Sequence, residues 1–264
     1  MNNIYLLQQC GEGHIYHWFI YGIACLYNIQ HLTPVKFTFK HNLLNFHRET
    51  FELLKPDFEF IEYNNIPEDS NIITLPYIEL IQEDKVNDFI YKFLRNLILI
   101  KNNFENINKP TKLIYISRNK SNLLVGTDHG IRRHVLDESI ITDKLKDIGF
   151  EIIELENYSV LDKIKLFQES KVIVSPNSGA LTMCLFSNPN SQIIEILPPV
   201  CGKMEQYSTI CSVLNIPFVR YLNVSAIFTD TTYVYHNYNG NAEYYIKMND
   251  VDDFINFVKA KSID

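Results

Sequence analysis

The sequence has no CxxC pair, no internal repeat, no low-complexity tract, and no Lys or Arg before Lys36. Each absence closes off a class of protein. The five cysteines, Cys10, Cys25, Cys184, Cys201 and Cys211, are scattered without regular spacing. That argues against a disulfide framework and for reduced, buried thiols, so a cytoplasmic location is expected. The apolar run Ile15 to Ile29 lacks the positive flank of a signal peptide, is interrupted by His17, and is too short to span a bilayer. It reads as a buried helix, with no transmembrane segment. A net charge of −7 argues against a nonspecific nucleic-acid binder, whose affinity comes from Lys and Arg on phosphates. No Walker element, GxGxxG or GxSxG occurs, so neither ATP hydrolysis, dinucleotide binding nor a serine-hydrolase elbow is supported.

What is present is an alternation of short apolar runs with amphipathic ones, the pattern of a layered α/β protein. The chain of 264 residues is 46% hydrophobic and 21% charged, enough to bury one large core or two small ones. In the first half, strands are expected at Ile4–Leu7, Val35–Phe39, Phe58–Tyr63 and Ile72–Leu75, with helices at Leu43–Leu54 and Val86–Phe104. The polar stretch Asn102–Thr111, ending in Lys109-Pro110, suits a lobe boundary, giving lobes 1–110 and 111–264.

The second half reads more clearly. Strands are expected at Leu113–Ile116, Glu151–Leu155, Val172–Val174, Gln192–Leu197 and Phe218–Tyr221. Helices are expected over Asp137–Ile148, from Ser159, from about Ser178, and over Met204–Leu214. This order implies right-handed βαβ crossovers and a parallel sheet whose ligands sit at the carboxyl ends of its strands. Val251, Phe254, Ile255 and Val258 form one stripe of a C-terminal amphipathic helix, placed at 250–261.

Four constellations can carry chemistry. Ser175-Pro176-Asn177-Ser178-Gly179-Ala180 follows a buried strand and opens a helix; first-turn amides and the helix dipole there favour a diphosphate, while the plain alternative is an ordinary turn with a Ser cap. Arg118, Lys120, Arg132 and Arg133 form a basic set beside a strand end, suited to phosphate or to a solvated loop. In Gly11-Glu12-Gly13-His14-Ile15-Tyr16-His17-Trp18, a helix starting near His14 puts His14, His17, Trp18 and Tyr21 on one face. Glu12 or a histidine there can serve as a general base, and packing is the competing role. Cys10, His14 and His17 lack the fourth ligand and the spacing of a zinc site. Finally, Glu195 lies inside the apolar run Ile193–Leu197 and needs a partner, either ribose hydroxyls or a buried cation.

Taken together, these residues resemble glycosyltransferase family 61. Tyr16-His17-Trp18 is similar to an aromatic-His-Trp signature, Ile116-Ser117-Arg118 to a strand ending in Ser-Arg, and Arg132-Arg133 before Asp137-Glu138 to a double Arg ahead of an acidic helix start. Gly149-Phe150-Glu151-Ile152-Ile153 and the helix containing Leu166-Phe167 also fit. Pro176-Asn177-Ser178-Gly179-Ala180-Leu181-Thr182 corresponds to the family's Pro-His-Gly-Ala-Gly-Leu-Thr, and Ile194-Glu195-Ile196 and Tyr207 complete the series. The likeness is fuller over Lys112–Tyr221 than before it. Asn177 stands where the family has His, and Tyr21 where relatives often carry Asp or Glu.

The resemblance implies a GT-B-like pair of Rossmann-like lobes, acceptor side first, with a UDP-sugar bound by the second and transferred with inversion to a glycan or other hydroxyl acceptor. The implied donor contacts are Ser117, Arg118, Arg132, Arg133, Asn177, Ser178, Gly179, Ala180 and Glu195. The base is ranked His17, then Glu12, then His14. No cofactor is required by the sequence, and nothing supports a divalent metal. A noncatalytic sugar-binding module that lost its base is the competing class, with Tyr21 as its argument; an NAD-dependent epimerase is disfavoured by the missing GxGxxG.

Overall fold

Two sheets organise the chain, and within each every strand runs parallel to its neighbours. The computed structural model describes residues 3–7, 14–40, 42–76, 81–82, 85–86, 88–104, 109–118, 135–199, 204–228 and 242–262. They divide into two compact units, Met1–Asn106 with Ser159–Leu161, and Ile107–Tyr158 with Asp162–Asp264.

The first unit contains β1 (Asn3–Leu7), α1 (Ile15–His17), β2 (Val35–Phe39), α2 (Asn45–Leu54), β3 (Phe58–Phe60), β4 (Asn71–Thr74), the short antiparallel pair β5 (Ile81–Gln82) and β6 (Lys85–Val86), and α3 (Asp88–Leu99). The main sheet has the order β3-β2-β1-β4. The chain steps outward from β1 through β2 to β3, then returns to β1's other side as β4, so direction reverses beside the carboxyl end of β1.

The helix expected over Ile15–Ile29 takes a different form: after α1 the chain makes a π turn, Trp18–Gly22, and a 3-10 segment, Ile23–Leu32. The thiol of Cys25 donates to the Tyr21 carbonyl at 3.0 Å, a side-chain bond of the kind that competes with regular backbone bonding. The expected burial is present, with Phe19, Ile20, Ile23, Ala24 and Leu26 fully enclosed.

The second unit contains β7 (Lys112–Ile116), α4 (Glu138–Asp147), β8 (Glu151–Ile153), α5 (Val160–Glu169), β9 (Ser170–Pro176), β10 (Gln192–Ile196), α6 (Gln206–Val213), β11 (Phe218–Tyr221), β12 (Ser225–Phe228), β13 (Ala242–Tyr245) and α7 (Val251–Ser262). The five-stranded order is β11-β10-β9-β7-β8, and β12 and β13 pair antiparallel. Here the reversal falls between β7 and β9. Helix α4 ends as expected at Gly149, whose φ of 90° suits a residue without a Cβ. Gly149 N–H donates to the Lys146 carbonyl at 2.9 Å and Phe150 N–H to that of Leu145 at 3.0 Å, the paired bonds of a Schellman stop. The helix expected from about Ser178 is present over Gly179–Phe186, wound as a 3-10 helix.

The apolar stripe of α7 is engaged within the second unit. Val251, Phe254, Ile255 and Val258 join Tyr115, Val172, Val174, Ile194, Ile196 and Tyr221 in one core. Cys25, Cys184 and Cys211 form no disulfide and are buried; Cys10 and Cys201 lie outside the described residues. Among the described residues no helix is long and apolar enough to cross a membrane.

His47, which had no legible role in the sequence, is 2% exposed in the first unit. Its Nδ1 accepts from Leu44 N–H at 2.9 Å at the start of α2, and its ring lies 4.3 Å from Trp18 and 4.1 Å from Phe46. Burial pushes its pKa down from 6.5 to about 4. A histidine depressed in the folded state stabilises fully above pH 6.5, and that contribution fades as pH falls toward 4, because the unfolded chain takes up the proton first. His47 should therefore account for about 2 kcal/mol less stability at pH 5 than at pH 7. Urea titrations at both pH values should show this increment in wild type and not in His47→Gln, whose amide oxygen can still accept from Leu44.

Candidate functional site

In an open parallel sheet the crevice for a ligand lies outside the carboxyl ends of the strands where direction reverses. In the second unit this point is the end of β7 beside the end of β9. The register aligns Tyr115 with Val174, so the chain continues as Ser117-Arg118 on one side and Pro176-Asn177-Ser178 on the other. Two of the constellations picked out in the sequence are thereby neighbours.

Each strand end is held from behind by a buried carboxylate. Behind β7 stands Glu138, 3% exposed, in the first turn of α4. Its two oxygens accept from Tyr115 Oη at 2.8 Å and Ser117 Oγ at 2.6 Å. Burial raises its pKa against the lowering pull of those hydroxyls and of Arg118. Tyr115 is pushed well above its usual range by burial and by the adjacent carboxylate.

Behind β9 stands Glu195, fully buried. Asn177 Nδ2 donates to its Oε1 at 2.5 Å, and Arg220 Nε to its Oε2 at 2.6 Å. Glu195 and Arg220 are directly paired across β10 and β11, and Arg220 reaches on to the Met204 carbonyl and to Ser208 Oγ. Of the two partners the sequence leaves open for Glu195, the buried cation is present, as Arg220. A carboxylate enclosed in the sheet, with an Asn on one oxygen and an Arg on the other, holds the turn from behind.

Past Asn177, Ser178 is the cap residue of the 3-10 segment, and Gly179 and Ala180 supply its first amides, a part of any helix with no partner inside it. Ser178 Oγ (2% exposed) and Thr182 Oγ1 (fully buried) have no hydrogen-bond partner among the described residues. Buried hydroxyls are ordinarily satisfied. Both lie in the first turns of this segment, beside the switch point. Arg132, Arg133 and Lys120 lie outside the described residues, as does Glu12.

In the first unit, α1 follows β1 across 8–13. His14 is exposed and His17 half-buried, with ring centroids 5.4 Å apart; Tyr21 lies 5.6 Å from His17. Burial lowers the His17 pKa below 6.5, so its imidazole is neutral at neutral pH. Trp18 leaves this group. It is 2% exposed, packs on Phe39, Phe46, His47 and Phe51, and donates Nε1–H to Thr50 Oγ1 at 3.2 Å. The single face expected for His14, His17, Trp18 and Tyr21 is thus split, with the tryptophan structural. A Cβ at Gly22 would come within 3.0 Å of the Trp18 ring, so the π turn closes tightly over it.

One Asp-x-Asp run does occur, Asp250-Val251-Asp252, at the start of α7. Val251 is in the core and Asp252 is ion-paired with Lys144 at 2.8 Å, so the run serves the helix start. Among the described residues no cluster of His, Cys, Asp and Glu has metal-site geometry.

The family described as Glycosyltransferase 61 matches residues 15–194, more than half of the chain. The chain belongs to glycosyltransferase family 61. It is a glycosyltransferase enzyme by that membership. The match begins at the first residue of α1, so it takes in the first unit after β1 as well as the stretch from Lys112. It stops one residue before Glu195. No curated protein matches the chain.

Sequence reasoning missed Glu138, Tyr115 and Arg220. The signal for Arg220 was present: a cation inside the apolar strand Phe218–Tyr221 answers an anion inside the preceding one. Removing one partner of a buried ion pair costs about 3–5 kcal/mol, less here because the Arg220 side chain is 23% exposed. Arg220→Met should lose about 2–3 kcal/mol in urea unfolding. The double variant Glu195→Leu/Arg220→Met should recover only part of that loss, because it also takes away the acceptor of Asn177.

Proposed function

We propose that this glycosyltransferase uses a UDP-sugar as donor, bound by the second unit, and transfers the sugar with inversion to a hydroxyl of a glycan acceptor on the side of the first unit, in a GT-B-like pairing. The observation that carries the donor assignment is the switch point between β7 and β9, with Ser117-Arg118 at one lip and the buried, unsatisfied Ser178 Oγ at the other. The diphosphate would take hydrogen bonds from Ser178 and the Gly179 and Ala180 amides, and charge from Arg118 with Arg132 and Arg133. Such preorganised donors stabilise the negative charge that develops on the leaving group. Asn177 sits deeper, in the hand of Glu195, and orients the turn.

The reaction is a single displacement. An acceptor oxygen loses its proton to a base, forms the new bond to the anomeric carbon, and the bond from that carbon to the diphosphate oxygen breaks. His17 is the proposed base: a neutral imidazole, half-buried beside Tyr21, is in the state that accepts a proton. Glu12 and His14 follow it in rank. A cytoplasmic site of action suits thiols that form no disulfide.

Calorimetry with uridine diphosphate tests the donor site: Arg118→Ala should weaken binding by about 1.5–3 kcal/mol, and equal affinity in both proteins would remove this Arg from the site. Donor turnover tests the base. His17→Ala should lose on the order of 10²–10⁴ in rate with nucleotide affinity retained. In wild type, activity should fall as pH drops through a pKa below 6.5, since protonation removes the base. If turnover survives in His17→Ala and is lost in Glu12→Gln, the proton goes to Glu12. Binding without turnover in wild type would favour the noncatalytic module.

A further inference from the structure

Helix α3 has two apolar faces. Ile90, Tyr91, Leu94, Leu97 and Ile98 are buried, whereas Phe89 and Phe93 lie one turn apart on another face, and Phe89 is 45% exposed. Tyr27 packs against both rings, with centroids 4.9 and 5.3 Å away, so they form a fixed platform. Beside them is a cavity of about 400 Å³, within the size of small-molecule sites. Its far wall carries the ion pair of Lys101 with Asp57, the ammonium lying 5.5 Å from the Phe58 ring centroid. Gln30, Thr33, Lys92 and Asn96 complete its polar lining. Asp57 directly precedes β3, which puts the cavity at the amino-terminal edge of this sheet. His14 and His17 follow the carboxyl end of β1, at the opposite edge.

We propose that this cavity is a second saccharide site, taking pyranose rings of a neutral glycan away from the transfer chemistry. The lining selects that class. Each sugar hydroxyl both donates and accepts, and the cavity offers donors in Lys92 and Lys101, an acceptor in Asp57, and both in Gln30 and Asn96. An anion would meet the Asp57 carboxylate, a cation two ammonium groups, and an apolar chain would bury the ion pair without replacing its water. A sugar ring also has an apolar C–H face to lay on Phe89 and Phe93. The site needs no turnover, so it stands or falls apart from the donor and base assignments.

Saturation-transfer NMR and calorimetry on the full chain would use maltohexaose, cellohexaose and xylohexaose, with hexagalacturonate as the acidic counterpart. At least one neutral hexamer should bind. Phe89→Ala and Asn96→Ala, both at exposed positions and so expected to fold, should each weaken it roughly three- to tenfold, and His17→Ala should leave it unchanged. The site is overturned if none of the neutral hexamers binds at millimolar concentration, or if only hexagalacturonate does. It is equally overturned if binding persists in Phe89→Ala/Asn96→Ala and disappears in His17→Ala, which would put the glycan at the transfer site.

Discussion

Parallel pairing is the constraint on which the rest depends. A strand returned to the same sheet by a crossover always ends on the same edge, so every βα turn of a unit opens on one side. In the second unit that rule takes Ser117-Arg118, more than fifty residues before Asn177-Ser178, and makes them neighbours. No side chain has to reach across the sheet to assemble the site; topology does it. The order β3-β2-β1-β4 does the same in the first unit, where the turn after β1 leads into the histidines of α1.

The two strand ends are kept in place by charge buried behind them, an unexpected choice under the site proposed here for a diphosphate. A bare carboxylate there would repel a diphosphate. Neither is bare. Glu195 faces Arg220 and Asn177, and Glu138 holds two hydroxyls beside Arg118. A fully paired acid costs less to bury than an unpaired one and confers direction on what it binds. Asn177 fits this account: an amide that donates to Glu195 locks the turn without adding a charge, where the family has a histidine.

The strands were largely legible because apolar runs bounded by polar turns survive in any context. Val35–Phe39 and Phe218–Tyr221 have the expected bounds, and the others differ by a few residues at their ends. Helix type was less legible. The run from Ile15 and the run from Gly179 are mostly apolar, so burial is readable, but nothing in hydrophobicity separates α from π or 3-10 winding. The destination of α7 was also hidden, since a stripe shows that a helix packs and not against what. At the site, residue types exposed Arg118, Ser178 and Glu195, whereas the role of Glu195 depended on a pairing between strands. Pairing partners are a property of register, which one strand's sequence does not state.

His47 and His17 show why burial direction alone does not assign a role. Both imidazoles are held neutral by desolvation in the same unit. In His47 the free lone pair already accepts from Leu44 N–H, and aromatic rings cover the rest. Its neutrality is used up in capping α2. His17 is only half enclosed, among His14, Tyr16 and Tyr21 rather than in the core. A base needs a depressed pKa together with a face that an acceptor can approach. Of the two histidines only His17 is half exposed, which is why it and not His47 is the proposed base, while Trp18 turns inward onto Thr50 and His47.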